Sequence, residues 1–397
     1  MRTNACGRWG SLTGAGAVLA LQTALGAQQP PPEPKRPTME ATRDSNSGAA
    51  YYYYGLSQLE SNPSRAADAF YWATRLEPGM AEPWYGRWAA LLLQQPTHTL
   101  GDYLTGESFI AKSVQFQRID SLRYQALMRE PLLYWRLDAV LLDQWLSKVT
   151  QGEVTLAELS SDFGPEMAAW WAYGRGRFVE ALKQYAIAVA RHPKWYGLRA
   201  QRARAFLPIL QYDSAAAAYN ELLALERSAE EERLVHVYES KEVVHFTIGR
   251  IREQQGDLPG AREAYGRALV ENLAFYPAHV ALARVALRTG DTTAAVHEYD
   301  QAQELHPEDP GLEYDYGVLL FALKRYDESA QQLQRAVDHD PYYAKPYLPL
   351  AYLRENEGQD SVAIAYYRRF IAIAPASLAS QVQQARQRLG ELPTPQH

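Results

Sequence analysis

Along the C-terminal third of the chain, small and aromatic residues recur among polar ones in a register of 34 positions. Gly249, Ala283, Gly317 and Ala351 form one column, and Ala261, Ala295, Ser329 and Ala363 a second. Tyr265, Tyr299, Leu333 and Tyr367 form a third, and Ala268, Ala302, Ala336 and Phe370 a fourth. Each unit closes at Leu273, Pro307, Pro341 or Pro375, and proline stops a helix because it lacks an N–H and its ring clashes with the preceding turn. Small residues beside large ones mark places where two helices touch closely. The period predicts helical hairpins stacked in an array. In this register Ala302 faces a helix contact, whereas Gln303, about 100° further round the helix, faces away.

The columns and turns resemble the tetratricopeptide repeat family, whose pattern is a small residue in the first helix, a Gly-Asp turn, then Ala, an aromatic, Ala and Pro. The turn stands as Gly256-Asp257 and Gly290-Asp291, becomes Lys324-Arg325-Tyr326, and returns as Gly358-Gln359. Upstream, Phe178, Ala181, Tyr185 and Ala188 match Tyr212, Ala215, Tyr219 and Leu222, with Gly176 and Pro193 at the first unit's turn and end. Between Ala215 and Ala261 the interval is 46 rather than 34, so extra residues fall around Arg227 to Glu242 and prolong a helix. Gly55, Ala66, Phe70, Ala73 and Pro78 read as another unit, and Trp84 to Leu93 as the first helix of the next. The resemblance implies an all-α, right-handed superhelical solenoid of antiparallel hairpins.

The expected layout is a signal peptide over 1–27, a Pro-rich disordered linker over 28–47 and N-terminal repeats over 48–93. A degenerate helical insertion follows over 94–164, where apolar residues recur at helical spacing and Thr155 resembles an N-cap. Two repeats span 165–229, a helical extension 230–242, four regular repeats 243–376 and a capping helix 377–390. The signal peptide rests on Arg2 and Arg8, the apolar run Leu12 to Leu25 and the small-residue site Leu25-Gly26-Ala27. Its core is too short and polar for a membrane span, which needs about 20 apolar residues. Export to a periplasm or cell surface is therefore expected.

The same resemblance implies that first helices line a concave groove. Its positions fall on Phe246, Arg250, Glu253 and Gln254, on Val280, Arg284, Leu287 and Arg288, on Tyr314, Val318 and Phe321, and on Lys345, Tyr352, Glu355 and Asn356. Arg250, Arg284 and Arg288 could offer forked donors to acidic groups of a protein or peptide partner; they could equally be solvated arginines on an exposed face. The Lys and Asn of the family's carboxylate clamp are replaced by Phe246 and Arg250, which argues against a chaperone-type C-terminal tail.

Composition narrows the partner class. A net charge of −6 does not suggest nucleic acid or anionic lipid. The single cysteine, Cys6, precedes the cleavage site, so a mature chain has no disulfide and no cysteine chemistry. No Gly-rich phosphate loop, His-Glu-x-x-His pair or Gly-x-Ser-x-Gly elbow occurs. His245 and His279 share a column and could share a metal, but packing between hairpins is the simpler reading. The expectation is a non-enzymatic interaction scaffold without cofactor, catalytic residue or metal. Two alternatives stay open: a carbohydrate- or peptidoglycan-binding module using Tyr51 to Tyr54, Trp84, Tyr85, Trp88, Trp170 and Trp171, and an enzyme sited in 94–164.

Overall fold

The structure is a computed structural model describing residues 33–40, 43–94, 164–231 and 240–392, with Leu122, Gln125, Ala126, Arg129 and Glu130. It divides into two compact units, Met1–Lys35 and Arg36–His397. The expected signal peptide, most of the 94–164 insertion with Thr155, and residues 232–239 lie outside the described residues.

The second unit is an all-α, right-handed superhelical solenoid. Among the described residues there are sixteen α-helices and no strand. Helices α1 (Gly48–Gln58) and α2 (Pro63–Leu76) form the first hairpin, and α3 (Glu82–Leu93) opens the next. After the insertion, α4 (Gly164–Gly174) pairs with α5 (Phe178–Arg191), and α6 (Tyr196–Ala205) with α7 (Tyr212–Glu231). The regular hairpins follow: α8 (Lys241–Gln254) with α9 (Leu258–Glu271), α10 (Tyr276–Arg288) with α11 (Thr292–Leu305), and α12 (Pro310–Ala322) with α13 (Tyr326–His339). The last pair is α14 (Tyr347–Asn356) with α15 (Asp360–Ile373), capped by α16 (Ala379–Glu391). Helix α7 runs for 20 residues, to Glu231, where α9 and α11 run for 14.

The columns lie where close packing needs them. Ala261, Ala295, Ser329 and Ala363 are all fully buried. A Cβ on Gly249 would sit 2.4 Å from the Tyr265 ring, and one on Gly317 2.8 Å from Leu333 Cγ. The glycine column thus exists because the residue opposite is large. Ser329 keeps the small size of its column and donates its hydroxyl to the Gly317 carbonyl at 2.8 Å. Asp257 and Asp291 cap the second helices, accepting from the Gly260 and Ala294 amides at 2.9 and 3.0 Å.

A further column is conformational. Gly176, Leu210, Gly256, Gly290, Lys324 and Gly358 all take positive φ at the hairpin turn. Left-handed backbone costs a non-glycine residue about 1 kcal/mol or more, since Cβ crowds the following carbonyl. Lys324, at φ 61, stands where four other units have glycine. Lys324→Gly should therefore raise stability by about 0.5 kcal/mol, after allowance for the entropy of a freer unfolded chain, measured by urea denaturation. An unchanged or lower midpoint would show that the turn is not strained.

The expected disordered linker does not reach Ser47. The Arg36 guanidinium lies over the rings of Tyr51 and Trp72 at 5.3 and 5.1 Å, and the Tyr51 hydroxyl donates to the Pro37 carbonyl at 3.1 Å. Aromatic faces attract a guanidinium, and that chemistry holds Arg36 and Pro37 against the first hairpin.

The first hairpin also meets the last ones. Trp72 and Tyr342 stack edge to face with centroids 4.9 Å apart, and Arg75 pairs with buried Asp340 at 2.8 Å. Asn46 donates to the Ala372 carbonyl at 3.1 Å and Asp44 accepts from the Ala376 amide at 2.6 Å. The superhelix therefore closes on itself.

Candidate functional site

The groove positions divide into an internally paired cluster and a looser strip. Glu253, on the last turn of α8, is nearly buried, yet it is surrounded by donors. Arg284 on α10 forks onto it through Nε and Nη2, both at 2.8 Å. Arg250 Nη1 reaches it at 2.7 Å, the Tyr265 hydroxyl at 2.7 Å, and Arg288 Nη1 at 3.4 Å. Burial alone would raise the Glu253 carboxyl, but the hydrogen bonds and charge of Arg284, with Tyr265 and Arg250, hold it at about 2. Arg250 is itself buried and makes a second ion pair with Glu130.

The arginines that could have met an acidic partner are thus answered from within the chain. Of the three, Arg288 keeps the most freedom, with 47% of its side chain exposed and the longest contact. Phe246 is buried between Tyr265 and Phe275, with both centroids at 5.5 Å. Tyr314 leans on Tyr343, Phe321 on Tyr326 and Tyr352 on Tyr367, all partly buried, and Asn356 stands exposed at the end of α14. The structure brings Phe246, Arg250, Glu253, Arg284 and Arg288 into one neighbourhood. It leaves Tyr314, Phe321, Tyr352 and Asn356 as separate positions along the later helices. Leu287 and Val318 expose apolar side chains on α10 and α12.

Sequence reasoning missed the groups that close the ring. Arg129 Nη2 meets Asp309 at 2.9 Å and its Nε donates to the Pro78 carbonyl at 2.8 Å. Glu130 and Arg129 lie in the stretch that matched no repeat column, so no spacing signal pointed to them. The aromatics proposed for sugar stacking are largely spent on packing. Tyr51, Tyr85 and Trp171 are buried, Trp84 is covered by Arg129 at 4.6 Å and Tyr54 by Arg65 at 5.5 Å, while Tyr53 is the exposed member of its run.

His279 Nδ1 lies 2.7 Å from Glu298 on its own hairpin, and no group of three His, Cys, Asp or Glu suited to a metal occurs among the described residues. No helix among the described residues is long and apolar enough to cross a membrane.

Residues 280–344 match the family model described as tetratricopeptide repeat. No curated protein matches the chain. Among solved structures it is similar to the C-terminal part of a TPR repeat-containing protein from Cytophaga hutchinsonii, at 16% identity and TM-score 0.45, covering 55% of this chain and 84% of that one. It is similar to PilF of Pseudomonas aeruginosa at 17% identity and TM-score 0.43, covering 56% and 96%. A third is YrrB, described as a TPR protein with an unusual peptide-binding site, at 16% identity and TM-score 0.39, covering 50% and 97%.

Proposed function

We propose that this tetratricopeptide-repeat protein is a non-enzymatic interaction scaffold that holds an extended peptide or protein segment along the concave faces of α10, α12 and α14. The repeat fold is that of protein-interaction scaffolds in general. The observation that carries the finer reading is the strip of Leu287, Arg288 and Val318, which is exposed in an array whose equivalent small and aromatic columns are buried. Apolar anchors flanked by one under-used guanidinium suit a segment with apolar side chains and an occasional carboxylate.

The experiment is capture of partners by wild type and by an Arg288→Glu, Val318→Asp double variant. Affinity should fall by about 1 to 2 kcal/mol for each lost anchor, with helicity unchanged. Retention of every partner at wild-type affinity would place the binding face elsewhere. Arg284 is unsuitable for this test, because a carboxylate there would face Glu253.

Export belongs to the same proposal, resting on Arg2, Arg8 and the apolar run before Ala27. Intact-mass measurement on envelope-derived protein should find a chain beginning within a residue or two of Gln28. Full-length protein carrying Met1 in the membrane fraction would establish an anchor instead.

A further inference from the structure

Where the superhelix closes, a half-open hollow of about 430 Å³ lies between the Glu77–Met80 turn, Arg129 and residues of α8, α10 and α12. That is the size of a site for a small organic molecule, commonly about 300 to 1,000 Å³. Phe246, Pro277, Val280 and Leu312 supply its apolar wall.

Some of its charged groups are already committed. Asp309 accepts from the Gly311 and Leu312 amides at 2.9 and 3.2 Å and from Arg129 at 2.9 Å, while Arg284 forks onto Glu253. Asp315, Glu77 and Lys345 line the same hollow without a side-chain hydrogen bond or a contact ion pair among the described residues; burial raises the Asp315 carboxyl to about 6, and the charge of Lys345 nearby draws it down only in part. The Tyr343 side chain, buried against Tyr314, completes that wall. Charges gathered in a concave, partly desolvated space gain most from a ligand that answers each of them.

We propose that this cavity binds a free basic amino acid of the lysine or ornithine class, with its two ammonium groups met by Asp315 and Glu77 and its carboxylate by Lys345. The charge balance selects this class. Two open carboxylates and one open ammonium complement a ligand of two positive groups and one negative. A dicarboxylate would meet like charge twice, a phosphate would find one open cation, and a simple diamine would leave Lys345 unanswered. The methylene chain of the ligand would lie against Phe246 and Leu312. The proposal is independent of the partner strip on Leu287, Arg288 and Val318, and it can fail while that reading stands.

Isothermal titration of the full chain with L-lysine, L-ornithine, L-alanine, L-glutamate and cadaverine tests it. Lysine or ornithine should bind more tightly than alanine, cadaverine more weakly than lysine, and glutamate least. Asp315→Asn and Lys345→Met should each weaken lysine binding by about tenfold, the scale of one lost charge-assisted contact. Glu77→Gln should remove the preference for lysine over alanine. The Asp315 and Lys345 side chains make no hydrogen bond that folding needs, and burial disfavours the Asp315 charge, so helicity and melting temperature should stay near wild type and report any misfolded variant. Absence of binding by every amino acid at millimolar concentration would overturn the proposal. So would lysine binding that both Asp315→Asn and Lys345→Met leave intact, or cadaverine binding as well as lysine.

Discussion

Glu253→Ala should destabilise the protein by about 3 to 5 kcal/mol, the scale found when one partner of a buried ion pair is removed and the other charge is left without compensation. Arg250 is the residue left exposed to that penalty, because it is nearly buried and keeps only Glu130. Arg284 is better solvated and loses less. Glu253→Gln preserves shape and some acceptor capacity, so it should cost less than Ala. The wild-type protein carries a matching pH signature. The folded Glu253 carboxyl, held at about 2, lies below its ordinary 4.5, so its contribution is complete above pH about 4.5 and drains away as pH falls toward 2. The gap between wild type and Glu253→Gln should therefore narrow over that window in denaturant titrations. A loss under about 1 kcal/mol for Glu253→Ala would mean the cluster behaves as a solvated surface pair.

Gly249→Ala and Gly266→Ala should shift stability in opposite directions although both lie inside helices of one hairpin. At Gly249 the new methyl would meet the buried Tyr265 ring at 2.4 Å, and Tyr265 cannot retreat without leaving Glu253. Overpacking of this kind costs about 1 to 3 kcal/mol, more than the gain of up to about 1 kcal/mol from replacing a helical glycine. At Gly266 a methyl would have no neighbour within 4 Å, so the helix-propensity gain stands alone and stability should rise by about 0.5 to 1 kcal/mol. Because a solenoid's stability is a sum over units and neighbouring contacts, the Gly249 damage should appear in hydrogen exchange of α8 to α10 while α5 keeps its protection. Equal tolerance at both sites would mean that the glycine column does not mark a helix contact.

Much of the architecture was legible in the residues. A fixed period, small residues against aromatics and a proline at each unit's end are local signals, read within one hairpin or between adjacent ones. Ala302 is fully buried as its column required, whereas Gln303 turns out to be half-buried, its amide paired with that of Gln332 at 2.8 Å. The helix face was therefore right for the contact, and the neighbouring position was misjudged because the next hairpin reaches round to it. The groove columns likewise located Glu253 and its arginines, but not that they neutralise one another. That outcome depends on side-chain reach between helices, which a column pattern does not encode.

By itself the sequence determined the helices, their pairing into hairpins and the positions that must stay small, since these follow from backbone geometry and packing over a few tens of residues. Only the tertiary structure decided that the two ends meet around a charged, half-open hollow. The pairs responsible, Arg75 with Asp340 and Arg129 with Asp309, lie 265 and 180 positions apart. Small rotations at every hairpin accumulate along the solenoid to bring such residues together, and no spacing within a single unit records their sum.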